Sequence, residues 1–501
     1  MSQTWTQVGQ DITTSGKYRI ETSNSCISLS NDGKIMAVGS YNYNNDQGSV
    51  QVYQYNDNTW KPYGSMIVDP SGGENGWSVS LSGDGNIVAI GSPNTNDSVT
   101  FPGSIQVYKY NENGWQPYGN KIYDPLGTSE SAGYSVSLSN DGTIMAVSTY
   151  KINNDDIGSV QVYHYSSVTI DGTVTNVWNP MGPEIVNNET YSQAQRVALS
   201  SDGTIVAIGS PYVNSTINGL NVSAGLVQVY QSHTVTSSDG TVTYEWKQLG
   251  SNIIDSSNGS TYYSAESGWS VSLSSDGLTI AIGAPVDQGL VQVYHYSTDK
   301  GWVKLGSNIV TRNDQGGNQE TGYSVSLSSD GTIVAVGTPN YNVSVDGNSS
   351  ATKGIVQVYQ YSYDTATSIG TWIQISQNIY GSVYSTAEIT GSAVSLSSDG
   401  TVVAFNSPYA NKVLVYQMST YDMVSSMKNG TRLLRRNYDS KEEYVPMKHL
   451  KKRDKIRTWK HGWRKITGIN THGEPDLRDF PNRKKHCRAF LIRRDKLRNK
   501  C

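Results

Sequence analysis

The sequence predicts an all-β protein, a seven-bladed β-propeller over residues 1–418 that is closed by its own N-terminal strand and followed by a basic C-terminal extension, 419–501. Three observations predict it. The string SLSxDG, or a close variant, occurs seven times, with its aspartate at Asp32, Asp84, Asp141, Asp202, Asp276, Asp330 and Asp399. First to last is 367 residues (399 − 32) over six intervals, about 61 per unit, which fits a four-stranded blade rather than a short helical repeat. A tryptophan lies seven residues before an isoleucine seven times: Trp5, Trp60, Trp115, Trp178, Trp246, Trp302 and Trp372 precede Ile12, Ile67, Ile122, Ile185, Ile253, Ile309 and Ile379. The order of the copies supplies the third observation. Trp5 precedes the first SLSxDG, and no such tryptophan follows the last third strand, 412–417, before the basic extension. The seventh blade therefore lacks a fourth strand of its own, and the segment around Trp5 supplies it and removes an exposed edge.

Each unit reads as four strands. In the second copy, SVSLS (78–82) alternates Val79 and Leu81 with serines, the period-two signature of a strand. Gly83-Asp84-Gly85 makes the tight turn, because glycine after aspartate supplies positive φ. NIVAIGSP follows as a second strand stopped at Pro93, and SIQVYKY (104–110) is a third with apolar or aromatic residues on both faces. A strand apolar on both faces suits a blade that its neighbours cover on both sides. The fourth strand carries Trp115. A residue present in every blade serves the repeat, so the tryptophans are read as blade-to-blade packing rather than a ring of ligand contacts.

Charge divides the chain. The whole carries a formal −4, but residues 1–418 hold 14 basic and 33 acidic side chains (−19), and the last 83 hold 24 and 9 (+15). Hydrophobic content is only 36 %, yet 34 Tyr and 11 Trp give the first part enough bulk to bury, against intrinsic disorder. No apolar run approaches the roughly 18 residues of a membrane helix, and MSQTWTQVGQDI lacks a signal peptide's basic and apolar regions. A soluble chain without a membrane span is expected, intracellular or in a virion. Cys26, Cys487 and Cys501 form neither a metal spacing nor a disulfide framework. Asn188, Asn214 and Asn258 begin Asn-x-Ser/Thr triplets of the kind expected by chance in so Asn- and Ser-rich a chain.

The unit GYSVSLSxDGTIVAVGxP followed by GxVQVYxY resembles the FG-GAP repeat of integrin-α-type propellers, best in 268–285 and 322–339. Ile282-Gly283-Ala284-Pro285 matches the Gly-Ala-Pro element, and Gly268 or Gly322 the first glycine. The phenylalanine before that glycine is replaced by Asn75, Ala132, Ser267 and Thr321. Calcium-binding members of that family carry loops of alternating Asp and Asn, since Ca²⁺ takes six to eight oxygens. Here each SLSxDG turn offers one aspartate, and the substitutes are Asn44-Asn45-Asp46 and Asn153-Asn154-Asp155-Asp156 in second-to-third-strand loops. No cofactor is therefore expected, and calcium is left without support from the loop motifs. The absence of any Trp-Asp or Gly-His dipeptide disfavours WD40 repeats. The Asn, Tyr and Ser bias also looks like proteins of large DNA viruses.

Catalytic signatures are absent: the chain has no GxSxG elbow, phosphate loop or HExxH. His164 and His295 hold equivalent positions in VQVYHY strands, and His233 is read as the start of a long polar connection. The seven turn aspartates are spread one per blade and do not make a glycosidase pair. Binding is better served. Loops between second and third strands, and between blades, emerge on one face and vary greatly in length, a common design for recognition on a rigid scaffold. Aromatic residues precede the first strand in four blades, Trp77, Tyr134, Trp269 and Tyr323, where the others have Ser25, Gln195 and Ser392. They are candidates for stacking a sugar or anchoring a peptide at the channel mouth, with packing between blades as the alternative. The extension carries basic clusters with interleaved aromatics, Lys451, Lys452 and Arg453, then Trp459, Trp463, Arg464 and Lys465, then Arg483, Lys484 and Lys485. They point to nucleic acid or another acidic partner. The leading expectation is a non-enzymatic scaffold that binds a protein or glycan; the alternatives are a nucleic-acid-associated protein acting through the tail and a hydrolase or lyase at the channel mouth.

Overall fold

The computed structural model describes residues 4–13, 26–69, 73–93, 103–123, 130–151, 158–170, 173–186, 196–217, 220–222, 224–254, 266–286, 289–311, 319–345, 349–364, 367–381 and 387–418, and short strands between 432 and 476. The chain divides into two compact units, Met1–Met418 and Ser419–Cys501.

The first unit is a seven-bladed propeller. Blade 2 shows the plan: Ser78–Leu81, Ile87–Ser92, Ser104–Asn111 and Gly114–Pro117 pair antiparallel in chain order, and Ile122–Tyr123 completes the outer edge. Blades 1 and 3 to 6 have their first strands at Ile27–Leu29, Glu130–Leu138, Arg196–Leu199, Ser270–Leu273 and Ser324–Leu327; blade 7 starts at Val394–Leu396. The second strands, such as Ile35–Ser40 and Ile87–Ser92, are buried along their whole length. One cluster shows why: Ile35, Val50 and Val52 of blade 1 pack on Val79, Leu81 and Ile90 of blade 2.

The Asp-Gly turns do two jobs. Asp84 Oδ1 accepts from Ser82 Oγ (2.6 Å) and from Asn86 N (3.0 Å), so the aspartate is a turn residue. Gly85 has φ +75°, and a Cβ there would lie 2.7 Å from Cβ of Ile35 in the preceding blade. Just before each aspartate the blades join in a closed circle. Asn31 N donates to Gly83 O, Gly83 N to Asn140 O, then Ser201, Ser275, Ser329 and Ser398 in turn, and Ser398 N returns to Asn31 O, all at 2.8–3.0 Å. The serines alternating with leucine add a second series of bonds, broken only between blades 4 and 5: Ser28 Oγ accepts from Leu81 N (3.0 Å) and Ser80 Oγ from Leu138 N (2.9 Å), a bond that Ala198 of blade 4 has no oxygen to make.

The repeated tryptophans link blades at the rim. Trp115 Nε1 donates to Tyr63 O and Trp302 Nε1 to Leu249 O, both 2.7 Å, each to a carbonyl of the preceding blade. The ring closes as the sequence predicts. Trp5 pairs with Met418, Gln7 with Tyr416 and Ile12 with Val413, so residues 5–13 form the outer strand of blade 7. Trp5 Nε1 donates to Ile375 O of blade 6 (3.2 Å), and Val8 O accepts from Trp60 Nε1 of blade 1 (3.0 Å).

Paired glycines set the spacing of the inner strands. A Cβ on Gly39, Gly91, Gly209, Gly283 or Gly337 would lie 2.0–2.2 Å from the carbonyl oxygen of Gly76, Gly133, Gly268, Gly322 or Gly391 in the next blade. Where the second strand carries Ser148 or Asn406 instead, the matching position of the next blade is Ala194 or Asn24, so both members of the pair change together.

One expectation needs correction. His233 does not begin a polar connection; it lies within Leu226–Thr236, paired with Glu245. The third and fourth strands of blade 4 continue to a turn at Ser237–Thr241 in which Asp239 Oδ1 accepts from Ser237 Oγ (2.6 Å) and Thr241 N (3.0 Å), a copy of the inner Asp-Gly turn. Asn44-Asn45-Asp46 lies, as expected, between the second and third strands of blade 1, where it forms the helical turn Tyr43–Asp46, with Asn44 Nδ2 donating to Gln47 Oε1 (2.9 Å).

Candidate functional site

Each first strand runs from the variable face towards the Asp-Gly face. Ser78 pairs with Gly91 at the end of the second strand, where the second-to-third-strand loop departs, so Trp77 stands at that end, opposite the Gly83-Asp84-Gly85 turn. A repeated turn places the ring. Trp77 N donates to Glu74 O, Trp269 N to Glu266 O and Tyr323 N to Glu320 O, each at 3.1 Å, and the glycine before each aromatic has φ of +87° to +94°. That is the third position of a type II turn, which favours glycine.

The four aromatics of the sequence prediction fall into two arcs. Tyr41 and Trp77 have ring centroids 4.7 Å apart, and Trp77 and Tyr134 5.5 Å; they come from blades 1, 2 and 3. Tyr212 and Trp269 are 6.4 Å apart, and Trp269 and Tyr323 5.4 Å; they come from blades 4, 5 and 6. All six rings are half-buried, so each both packs on its neighbours and keeps accessible surface. Of the other positions, Ser392 Oγ donates to Ile389 O (2.9 Å), and Ser25 and Gln195 lie outside the described residues.

Charge enters through residues the sequence reading passed over. Arg196, 7 % exposed, starts the first strand of blade 4 where blades 2, 3, 5 and 6 have Ser78, Ser135, Ser270 and Ser324. Its guanidinium lies 4.9 Å from the centroid of the Tyr134 ring. Tyr323 is pushed up to about 12 by burial; the Arg196 charge acts against that shift, and Glu320 and Tyr134 act with it. Arg196, Tyr134 and Tyr323 thus share one electrostatic neighbourhood at the mouth. Glu74, Glu266 and Glu320 occupy one repeat position, three before the aromatic, with left-handed φ of +59°, +50° and +57°. Burial raises the carboxyl of Glu266, and the charge of Glu320 adds to it; burial also raises Glu320, with a hydrogen bond from Asn340 opposing. The signal was legible as Glu-x-Gly-Trp/Tyr in three units, and Arg196 as a lone charge in a serine column. Tyr41 and Tyr212 left no such mark.

At the Asp-Gly face the channel opens on a cavity of about 150 Å³ lined by the inner-strand leucines, among them Leu29, Leu81 and Leu273, and by Asn31, Asn140 and Ser201. It holds no charged side chain. Ser275 Oγ donates to Ser201 Oγ (2.8 Å), and Asn31 Nδ2 to Asn140 Oδ1 (2.5 Å) over Gly83.

The histidines lie out on third strands. His295 Nδ1 is 3.1 Å from Thr279 Oγ1, and burial lowers His164, whose ring is 5.9 Å from that of Tyr244. Among the described residues no three His, Cys, Asp or Glu side chains group to hold a metal, and no helix is long and apolar enough to cross a membrane. Asn153 to Asp156 lie outside the described residues. So do Lys451, Lys452, Arg453, Trp459, Arg483, Lys484 and Lys485; Trp463, Arg464 and Lys465 fall in the strand Gly462–Lys465.

No family model matches the chain, and no curated protein matches it. Many solved structures are similar to it, among them the following two. The Cps50 (Swd1) β-propeller domain of Myceliophteria thermophila aligns over 82 % of this chain and 99 % of its own, with 10 % identity and a TM-score of 0.46. Kuenenia stuttgartiensis hydrazine synthase aligns over 82 % and 100 %, with 12 % identity and a TM-score of 0.46. At that distance the likeness concerns the fold alone.

Proposed function

We propose that this propeller is a non-enzymatic recognition scaffold that binds a protein or glycan at the mouth of its channel on the variable face. One observation carries the reading: six aromatic rings, none fully buried, stand in two arcs at the variable-face ends of the blades. Aromatic rings already ordered by their neighbours give contact area at little entropic cost, which is how aromatic anchors work in binding sites. The resemblance to FG-GAP repeats fits the same reading. The test is a peptide and glycan array probed with the full chain, with a Trp77→Ala/Trp269→Ala variant, and with an Asn31→Ala/Asn140→Ala variant on the opposite face. Signals lost with the first variant and kept with the second support the mouth. Signals that ignore the aromatic pair remove it.

A second reading rests on Glu266 and Glu320. Two carboxyls held above their ordinary range are what acid–base catalysis would use, so a hydrolase or lyase is the alternative. Turnover of any array ligand, abolished by Glu320→Gln, would establish it in place of the scaffold.

A further inference from the structure

The cavity at the Asp-Gly face is walled by main chain. All seven inner-strand leucines, from Leu29 to Leu396, line it, yet their side chains belong to the packing clusters between blades, one leucine to each cluster. The register says which leucine atoms face the channel. The serine after each leucine donates its backbone N–H to the second strand, as Ser30 N does to Ile35 O and Ser82 N to Ile87 O, at 2.8–2.9 Å throughout. Because bonded and non-bonded positions alternate along an antiparallel pair, each leucine turns its own N–H and C=O away from that strand, to the inside of the ring. Six of the leucine amides donate to serine hydroxyls of the preceding blade, and Leu273, opposite Ala198, is the exception. The leucine carbonyls accept no hydrogen bond among the described residues.

The wall therefore presents acceptors, and the charge around it has the same sign. The rim side chains pair with one another, Asn31 with Asn140, Ser275 with Ser201 and Ser329 with Ser398. The next residue in each turn is an aspartate, and Lys34 is the one basic residue in the seven tetrads that begin at 31, 83, 140, 201, 275, 329 and 398. Convergent carbonyl dipoles with carboxylates behind them favour a cation on the axis.

Size decides between a bare ion and a hydrated one. Neighbouring first strands are joined by N–H···O bonds of 2.8–3.0 Å. Strands so bonded stand about 4.8 Å apart, and seven at that spacing make a circle of roughly 5.5 Å radius. Carbonyl bonds of about 1.2 Å aimed inward bring their oxygens to roughly 4–5 Å from the axis. A bare Ca²⁺ binds oxygen at about 2.3–2.6 Å and would reach only one side of such a ring. Mg²⁺ keeps its waters at about 2.1 Å, and hydrogen bonds of about 2.8 Å from them extend to about 4.9 Å. The cavity of about 150 Å³ exceeds the roughly 60–90 Å³ that six waters require.

We propose that the ring of leucine carbonyls holds one Mg²⁺ through an intact shell of waters, on the channel axis at the Asp-Gly face. A hydrated cation offers O–H donors in every direction, the complement of a wall of acceptors. This site stands apart from the recognition face at the other end of the channel and from the loop calcium sites of FG-GAP propellers.

The probe is hexaamminecobalt(III), whose ammonia shell does not exchange, so that it binds only through that shell. Titration calorimetry of the full chain at about 0.15 M salt, where exposed charges are screened beyond about 8 Å, should give one saturable site per chain. Mg²⁺ should displace the probe, and Na⁺ at equal ionic strength should not. Ser329→Lys puts an ammonium at the rim and should weaken the probe at least about tenfold, by repulsion at short range. Asn113→Lys, the same charge change on the exposed outer hairpin of blade 2, should alter it less than about twofold. Melting curves show that each variant is folded, and Asn140→Lys replaces Ser329→Lys if that one is not. Crystals grown with the probe should show its anomalous peak on the axis, inside the ring of leucines. No saturable site, no displacement by Mg²⁺, or full affinity in Ser329→Lys overturns the inference. An equal loss in Asn113→Lys reports general attraction to an acidic surface and overturns it as well, as does an anomalous peak at the turn carboxylates with none on the axis.

Discussion

Removing residues 1–13 takes the outer strand from blade 7 while leaving every SLSxDG unit intact, and so isolates the contribution of closure. Trp5 and Ile12 are 5 % and 4 % exposed. Losing a buried tryptophan costs about 3–5 kcal/mol and a buried isoleucine about 2–5, before hydrogen bonds are counted. The strand also takes with it the bonds of Trp5 Nε1 to Ile375 O, Val8 N to Val415 O and Trp60 Nε1 to Val8 O, and the ion pair of Asp11 with Lys412 at 2.7 Å. A loss of at least about 5–10 kcal/mol follows. With an unfolding entropy of about 2.1 cal/mol/K per residue, 418 residues unfolding as one unit would melt roughly 5–10 °C lower. Differential scanning calorimetry with light scattering is the assay, because the bared edge of blade 7 should also promote association. Adding a synthetic peptide of residues 1–13 should restore the melting temperature in a concentration-dependent way, as binding to the native state requires. An unchanged melting temperature and a monomeric truncated chain would refute closure by this strand.

Other outcomes follow from the same structure. Gly91→Ala places a Cβ 2.1 Å from Gly133 O and should cost more than about 3 kcal/mol in urea unfolding, whereas Ser148→Ala, at the equivalent place in blade 3, removes only a hydroxyl that accepts from Ser135 N (3.0 Å) and donates to Ser135 O (3.5 Å), about 1–2 kcal/mol. The turn aspartates Asp84, Asp141 and Asp202 feel burial, which raises them, but bonds from Ser82, Ser139, Ser200 and the turn amides bring the net below the ordinary value. Their stabilisation is present above the unfolded-chain value near 3.9 and is lost as pH falls through the lower folded value, so acid unfolding should begin below about pH 4. Glu266 has the opposite sign: its folded value is raised, so ionisation weakens the fold as pH rises past it. Glu266→Gln should therefore melt above the parent chain at pH 7 and equal to it below about pH 4, in pH-dependent calorimetry. The extension, with its formal +15, should bind a short DNA duplex more tightly as isolated 419–501 than as full chain, with the difference shrinking as salt rises; no binding in low-salt anisotropy would end the nucleic-acid reading.

The architecture was legible because a propeller repeats its physics. Seven Trp-to-Ile spacings and seven Asp-Gly turns mark positions that every blade must fill, and Trp5 out of order marks closure. The serines of SVSLS were read as the polar half of an alternating strand; that they bridge blades needed the register, since Ser80 meets Leu138 across 58 residues. His233 is hidden from the sequence because Ser237 to Thr241 looks like a loop, whereas it closes a hairpin that, like the one in blade 3, is longer than those of blades 1, 2 and 5. The site was only half visible. Trp77, Tyr134, Trp269 and Tyr323 stand in a column that the repeat exposes, but their grouping into arcs depends on Tyr41 and Tyr212, which lie beyond the second strands and outside the repeat. Arg196 draws its meaning from Tyr134 in the adjacent blade, a relation that no spacing within one unit carries.

The central claim is that recognition happens at the variable-face mouth, and hydrogen exchange of the full chain with and without its strongest array ligand tests it most directly. The account predicts that amide protection on binding concentrates at 74–77, 266–269 and 320–323, and leaves the turns at 31–33, 83–85 and 140–142 unchanged. Protection centred on those Asp-Gly turns, with none at the aromatic arcs, would contradict it.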